Sequence, residues 1–156
     1  MKQSSRTQWK IRKARKSDAE AIVRFLETQH RPKRSDFVVS EYFVAESLGQ
    51  IVGCIATRKR AQRGYLYGLA VEKSQRRRGV GHALTEHCLN HLRREGADLV
   101  FTLVMFWNIR FIKQHGFKLA NRKTKTDLKD LHPDFVDKWS ARSALFAASE
   151  LKSSLP

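Results

Sequence analysis

Between Leu69 and Leu84 the chain passes from an apolar segment, Leu69-Ala70-Val71, through Glu72-Lys73-Ser74-Gln75-Arg76-Arg77-Arg78 into Gly79-Val80-Gly81-His82-Ala83-Leu84. A strand that enters a basic, glycine-containing turn and leaves directly as a helix calls for a layered α/β arrangement. It also makes an anion site. The first N–H groups of a helix have no partner inside the helix and lie at the positive end of its dipole. Successive N–H groups in a turn form a concave nest for an anion. Gly79 and Gly81 remove side chains where a phosphate must approach the backbone. The run therefore reads as a diphosphate site. A P-loop would need Gly-x-x-x-x-Gly-Lys followed by Ser or Thr, which is absent. A dinucleotide fingerprint would need a third Gly or Ala where Leu84 stands, and it belongs to a first strand–helix unit rather than to mid-chain.

The rest of the chain supplies the layers. Trp9 to Ala14 reads as a first strand. Ser17 and Glu20 have capping-box spacing, and Ala19, Ile22, Val23 and Leu26 recur at helical spacing, so a helix is predicted from Asp18 to Gln29. Arg31 to Ser40, with Pro32, reads as loop. Glu41–Ser47 and Gln50–Arg58 read as strands joined by the hairpin turn Leu48-Gly49, and Gly64–Val71 as a fourth strand. Gly79 to Arg94 is a helix with the stripe Val80, Ala83, Leu84, Cys88 and Leu92, stopped by Gly96. Leu99–Met105 is nearly all apolar, as in a strand covered on both faces. Asn108–His115 reads as a short helix closed by Gly116, and Phe117–Asn121 as a strand. His132-Pro133-Asp134 reads as a turn into a helix through Trp139, and Ala141–Ala148 as a strand or a helix. The expectation is one α/β domain over residues 1–156, with a core at about 9–122 and a C-terminal helix and strand in 123–156.

At this point the chain resembles the GNAT superfamily of N-acetyltransferases. That family's pyrophosphate loop reads Gln/Arg-x-x-Gly-x-Gly/Ala, and Arg76-Arg77-Arg78-Gly79-Val80-Gly81 matches it. The strand ending in Leu-Ala-Val precedes it at the family's distance. A second match is Trp107-Asn108-Ile109-Arg110-Phe111-Ile112-Lys113-Gln114-His115-Gly116-Phe117, a short Asn-containing helix leading to Gly-Phe. The resemblance covers roughly Ile11 to Phe117. It implies a mixed, mostly antiparallel sheet of six or seven strands flanked by helices and splayed between strands four and five.

The resemblance also implies roles. The pantetheine arm of acetyl-CoA pairs with the fourth strand at Leu69, Ala70 and Val71. The pyrophosphate rests on Arg76, Arg77, Arg78, Gly79, Val80, Gly81 and His82. Asn108, Phe111 and Lys113 lie along the pantetheine and acetyl side. A primary amine attacks the thioester directly, with no metal. A lysine-type amine, with a pKa of about 10.4, must first lose a proton, and a general base offsets part of that cost. The family's usual proton-donating tyrosine is replaced by Ile112, and the glutamate common on the fourth strand by Tyr65 and Tyr67. Tyr67 is the candidate acid or water-positioning group, the alternative being that both tyrosines fill a sheet face. The segment Leu131–Trp139 with Arg142-Ser143 is loosely similar to the tail of the acetyltransferase domain in bacterial N-acetylglutamate synthases.

Charge sharpens the choice of partner without making it. The 156 residues carry 31 Lys and Arg against 15 Asp and Glu, and residues 1–78 hold 19 of the basic and 7 of the acidic groups. Such a field attracts anions. A small amino acid or metabolite is the first substrate class, and a protein N-terminus or lysine the second. A nucleic-acid- or ribosome-associated protein that keeps the acetyl-CoA fold is the rival from another class. The block Arg58-Lys59-Arg60 with Arg63 reads either as a solvated hairpin end or as a contact for an anionic substrate or a nucleic acid. His87 and His91 lie one helical turn apart, but no further ligand completes a metal set, so they read as a helix face. No run approaches the ~20 apolar residues of a membrane helix. The polar segment Met1–Arg6 lacks the apolar region of a secretory signal. Cys54 and Cys88 sit in apolar patterns and read as buried reduced thiols. A cytoplasmic monomer or homodimer is the expectation.

Overall fold

The computed structural model describes residues 9–29, 37–105, 108–119 and 144–150. In chain order the elements are β1 Lys10–Lys13, α1 Ala19–Thr28, β2 Tyr42–Ser47, β3 Gln50–Arg60, β4 Arg63–Val71, α2 Val80–Arg94, β5 Leu99–Met105, α3 Ile109–Gln114, β6 Lys118–Leu119 and β7 Ala144–Glu150. The strands follow the order β1-β2-β3-β4-β5-β7-β6 in a seven-stranded sheet. It is mostly antiparallel, with β4 and β5 parallel. Their register takes in Arg63–Leu66 against Leu99–Thr102, four of the nine residues of β4. The described residues fall into two compact units, one within Met1–Ala56 and Gly68–Cys88, the other within Thr57–Tyr67 and Leu89–Pro156. The sequence-predicted turn and helix at His132–Trp139 lie outside the described residues.

In the first unit, β1 and β3 pair antiparallel with β2. Tyr42, Phe43, Val44 and Ala45 are all buried, so β2 is covered on both faces rather than alternating. The β2–β3 turn carries Leu48 at φ 50° and Gly49 at φ 75°. Two left-handed residues make the primed turn whose twist suits a hairpin. Leu48 fills the first place fully in solvent, 95% exposed. Helix α1 buries Ile22 and Leu26, one turn apart.

The start of α1 differs from the capping box predicted at Ser17 and Glu20. The helix begins after a 3-10 turn at Lys16–Asp18, with no side-chain hydrogen bond from its cap residue Asp18. The Asp18 carboxylate points back instead. It accepts the Arg15 backbone N–H at 2.6 Å and two bonds from the Arg12 guanidinium at 2.7 and 3.1 Å. Arg12 Nε also donates to Glu46 at 2.7 Å. One guanidinium thus ties β1 to β2 and to the entry of α1. The hydrogen bond from Arg12 holds the Asp18 carboxyl down at about 2, partly opposed by burial and helped by the Arg15 amide.

The folded value lies below the ordinary 3.8, so ionised Asp18 stabilises the fold fully above that pH and loses its effect as pH falls toward 2. Asp18→Asn is expected to lower the unfolding free energy at neutral pH by roughly 1–2 kcal/mol. The deficit against wild type should shrink between about pH 4 and pH 2. Urea titrations of both proteins across that range check it; a deficit that does not vary with pH would exclude the ion pair as its source.

In the second unit, β7 pairs antiparallel with β5 over seven residues, Leu99↔Glu150 to Met105↔Ala144, and with β6 on its other side. The strand-or-helix alternative at Ala141–Ala148 is thereby resolved as strand from Ala144. Helix α2 ends in a Schellman arrangement: Gly96 N–H reaches Arg93 C=O at 3.0 Å and Ala97 N–H reaches Leu92 C=O at 2.9 Å, with Gly96 left-handed at φ 87°. Thr102 Oγ1 donates to Leu66 C=O at 3.0 Å in the buried interior. The β3–β4 tip places Ala61 at φ 51°, and Gln62 C=O accepts the Asp98 N–H at 2.8 Å.

Candidate active site

The strand–turn–helix run forms as read. Strand β4 closes with the Glu72 N–H bonded to Val52 C=O at 2.9 Å, and one 3-10 turn follows at Lys73–Gln75. The chain then extends at Arg76 (φ −66°, ψ 152°). It turns left-handed at Arg77 (φ 62°) and again at Gly79 (φ 85°). A non-glycine residue rarely holds a positive φ, and such strain gathers where a backbone is shaped for a ligand. The first backbone bond of α2 is Ala83 N–H to Gly79 C=O at 2.9 Å. The amides of Val80 and Gly81 therefore lie ahead of the helical ladder, where an anion is bound most readily.

The residues of this run divide by task. Arg76, Arg77, Arg78, Gly79 and His82 are exposed. Arg76 is committed to the fold: its guanidinium donates to Val71 C=O and to Gln29 Oε1, each at 3.0 Å. That contact staples the turn to the end of β4 and the end of α1. Arg77 and Arg78 carry their charge into solvent at the turn itself. Val80 is 1% exposed, so its side chain anchors the helix and only its backbone belongs to the site. Gly81 is half-buried in the first turn of α2, and its C=O accepts Thr85 Oγ1 at 2.8 Å. Space around the Cβ position of Gly79 is open, which suits a ligand against bare backbone. A group of this shape and charge fits a diphosphate.

Leu69 and Val71 are half-buried and Ala70 buried, in the second half of β4. All the residues from Leu69 to His82 belong to one unit. Gly68, with φ +66°, breaks β4 just before them, a feature the strand pattern does not announce. Tyr67, Asn108, Phe111 and Lys113 belong to the other unit, each in its own element. Tyr67 is buried and stacks on Tyr65, with ring centroids 5.4 Å apart and planes at 15°. The half-buried Arg58 guanidinium lies 5.4 Å over the Tyr67 ring. Asn108 stands at the N-cap position of α3 without a side-chain cap hydrogen bond, Phe111 packs on His115 at 5.0 Å, and Lys113 is exposed. Ile112, in place of the family's tyrosine, is 9% exposed: an apolar side chain there serves packing. Trp107 lies outside the described residues.

Other reactive groups have structural duties. His87 meets the Phe43 ring edge-on at 5.0 Å, so it packs on the sheet rather than standing on a solvated face. Both cysteines are buried and outside any disulfide, and burial pushes the Cys88 thiol far above its ordinary range, away from nucleophilic use. Among the described residues no group of His, Cys, Asp and Glu forms a metal site, and no helix is long and apolar enough to cross a membrane.

A mixed sheet thus carries a basic glycine turn at the end of its fourth strand, leading directly into a helix. Residues 7–117 match the sequence model of the Acetyltransferase (GNAT) family, and the chain belongs to that family. No curated protein matches it in sequence. Among solved structures it is similar to N-acetylglutamate synthase from Neisseria gonorrhoeae, complexed with coenzyme A and N-acetyl-glutamate, at 23% identity and a TM-score of 0.75 over 95% of this chain. It spans only 36% of that protein's length. It is similar to Rv2747 from Mycobacterium tuberculosis, in complex with CoA and NLQ, at 22% identity and a TM-score of 0.74, covering 92% of this chain and 99% of that one. It is similar to Naa50 from Arabidopsis thaliana, bound to the bisubstrate analogue CoA-Ac-MVNAL, at 16% identity and a TM-score of 0.73, covering 93% and 100%. At these identities the likeness is one of fold.

Proposed function

We propose that the chain is an acetyl-CoA-dependent N-acetyltransferase acting on a small, negatively charged primary amine such as an acidic amino acid. The observation that carries the reading is the left-handed turn Arg77–Gly79 feeding directly into α2, with the amides of Val80 and Gly81 ahead of the first helical bond. Those amides, with Arg78 and His82, hold the pyrophosphate; Arg77 shapes the turn and Arg76 fastens it. The backbone of Leu69 and Val71 orients the pantetheine arm beside Ala70. Acetyl-CoA supplies the activated acetyl group. The cytoplasm is the proposed location.

Two features favour an acidic amine. The excess of 31 basic over 15 acidic residues draws anions. Arg58 lies over the Tyr67 ring, and a guanidinium is the side chain whose shape best suits recognition of a carboxylate. The Neisseria protein was crystallised with an acidic acetylated product, whereas the Arabidopsis protein carries a peptide analogue.

Coenzyme A release is the test, measured against glutamate, aspartate, neutral amino acids and peptides with free N-termini. Acidic amino acids are expected to turn over fastest; exclusive turnover of peptides would replace the small-substrate reading. The same assay examines Tyr67 as the proton donor or water-positioning group. Tyr67→Phe is expected to lower kcat by about tenfold to a hundredfold while coenzyme A affinity stays near wild type, because only a hydroxyl is lost. A leaving thiol of pKa about 8.5 needs less help than an alkoxide, which keeps the effect at the low end for a positioned acid. Wild-type kcat in that variant would retire Tyr67 from the chemistry.

A further inference from the structure

Gly68 changes the direction of β4. Its φ of +66° is left-handed, and one such residue inside a strand marks a bulge. At Gly64 a Cβ would point to α2, 2.9 Å from Leu92 Cδ1. Strict alternation would give residue 68 the same face. Instead a Cβ on Gly68 would lie 3.2 Å from Tyr42 Oη and 3.5 Å from Tyr42 Cε1.

Tyr42 comes from a different face of the sheet than α2. Residues opposite one another in an antiparallel pair share a face, and the register joins Tyr42 to Ala56 and Val44 to Cys54. Gly53, next to Cys54, has Val80 and Leu84 of α2 at 3.0 Å from its Cβ position. Tyr42 and Cys54 therefore both look away from α2, and both end at Gly68. Cys54 Sγ–H donates to the Gly68 carbonyl at 3.7 Å. The Tyr42 ring is 1% exposed and packs against Phe37 at 5.2 Å, with its hydroxyl end against the Gly68 backbone. The bulge is thus held by its carbonyl from β3 and by its Cα from β2.

We propose that Tyr42 and Cys54 brace the β4 bulge, and that Tyr42 is a positioning residue for the reaction: by holding Gly68 it fixes the direction of the next amide, that of Leu69. The proposal rests on the reading above that the second half of β4 carries the acyl donor. An amide that polarises a reacting carbonyl must be aimed in advance, and a misplacement of about 1 Å can cost on the order of 10²-fold in rate. A phenylalanine at 42 would fill the same core space and remove only the hydroxyl that meets Gly68.

Tyr42→Phe in the full chain tests this by three readouts. Amide hydrogen exchange in the ligand-free protein is expected to quicken about tenfold or more at Leu69 and its neighbours, with protection in β2 and α2 kept. Turnover should fall about tenfold, with the KM for acetyl-CoA within about twofold of wild type, as for an interaction made only in the transition state. A double-mutant cycle with Gly68→Ala measures the contact itself. In wild type the new methyl meets Oη and suffers the positive φ; without the hydroxyl only the strain is left. Gly68→Ala should therefore lower Tm less in the Tyr42→Phe background. Strict additivity in that cycle overturns the brace. Local exchange that quickens with kcat unchanged overturns the positioning role, and so does loss of protection spread evenly over the protein. Should the wild type fail to bind coenzyme A, the acetyltransferase reading falls, and with it the positioning role, while exchange and the cycle still decide whether the brace exists.

Discussion

Gly81→Glu is expected to abolish coenzyme A binding in a protein that stays folded. Gly81 is the second residue of α2, and its amide precedes the first helical bond. A carboxylate placed there faces the diphosphate with like charge. Two unit charges 4 Å apart repel by about 4 kcal/mol at an effective dielectric of 20, which is roughly a thousandfold in affinity. The same carboxylate suits the helix, since a negative group near an N-terminus stabilises it by about 0.3–1 kcal/mol. Binding and stability should thus move in opposite directions. Calorimetric titration with coenzyme A alongside a melting curve reads both; near-wild-type affinity in a folded Gly81→Glu protein would remove the turn from the site.

The second large effect concerns how that turn is supported. A Cβ on Gly53 would lie 3.0 Å from Leu84 Cδ1 and from Val80 Cγ1, and 3.3 Å from the Ala70 carbonyl oxygen. Leu84 and Val80 are themselves 0% and 1% exposed, so neither has room to retreat. Gly53→Leu would push α2 off β3 at the turn from which its N-terminal amides project. Overpacking of this kind costs about 1–3 kcal/mol, and a whole isobutyl group belongs at the upper end. A loss of about 3 kcal/mol lowers Tm by roughly 6–12 °C for a chain of this size. Coenzyme A affinity should fall with it, because the helix start is displaced. Scanning calorimetry of the variant checks the first part; an unchanged Tm would mean the space over Gly53 is larger than the packing shows.

These two glycines differ in how far the sequence announces them. Gly81 belongs to a local run in which strand, basic turn and helix are contiguous, so spacing alone reveals the element order. Gly53 sits in a strand pattern, and its purpose appears only once α2 has come back across β3. Gly68 is the same kind of case: nothing in Tyr67-Gly68-Leu69 announces its left-handed φ, and the side chain that meets it comes from Tyr42 on β2. The misread cap at Ser17 also has a distant cause, since Asp18 is drawn back by Arg12, which the β1–β2 register brings beside Glu46. Segment Ala144–Glu150 could not be assigned from its own residues. An apolar run without periodicity takes the form its neighbours impose, and here these are β5 and β6. The fold class and the strand–turn–helix run were legible because they follow from local patterns. The proton donor was not, since Ile112 shows only what is absent from the usual place.

The place of β7 also orders events in time. It supplies backbone partners to β5 on one side and β6 on the other, yet Ala144 is made well after Leu119. Until β7 has left the ribosome, β5 has no neighbour along one flank and β6 has no partner in the sheet. An unpaired strand is a template for any other extended chain, so this interval is when the nascent protein is most open to association with its copies. Completion of the sheet waits for the emergence of the downstream segment.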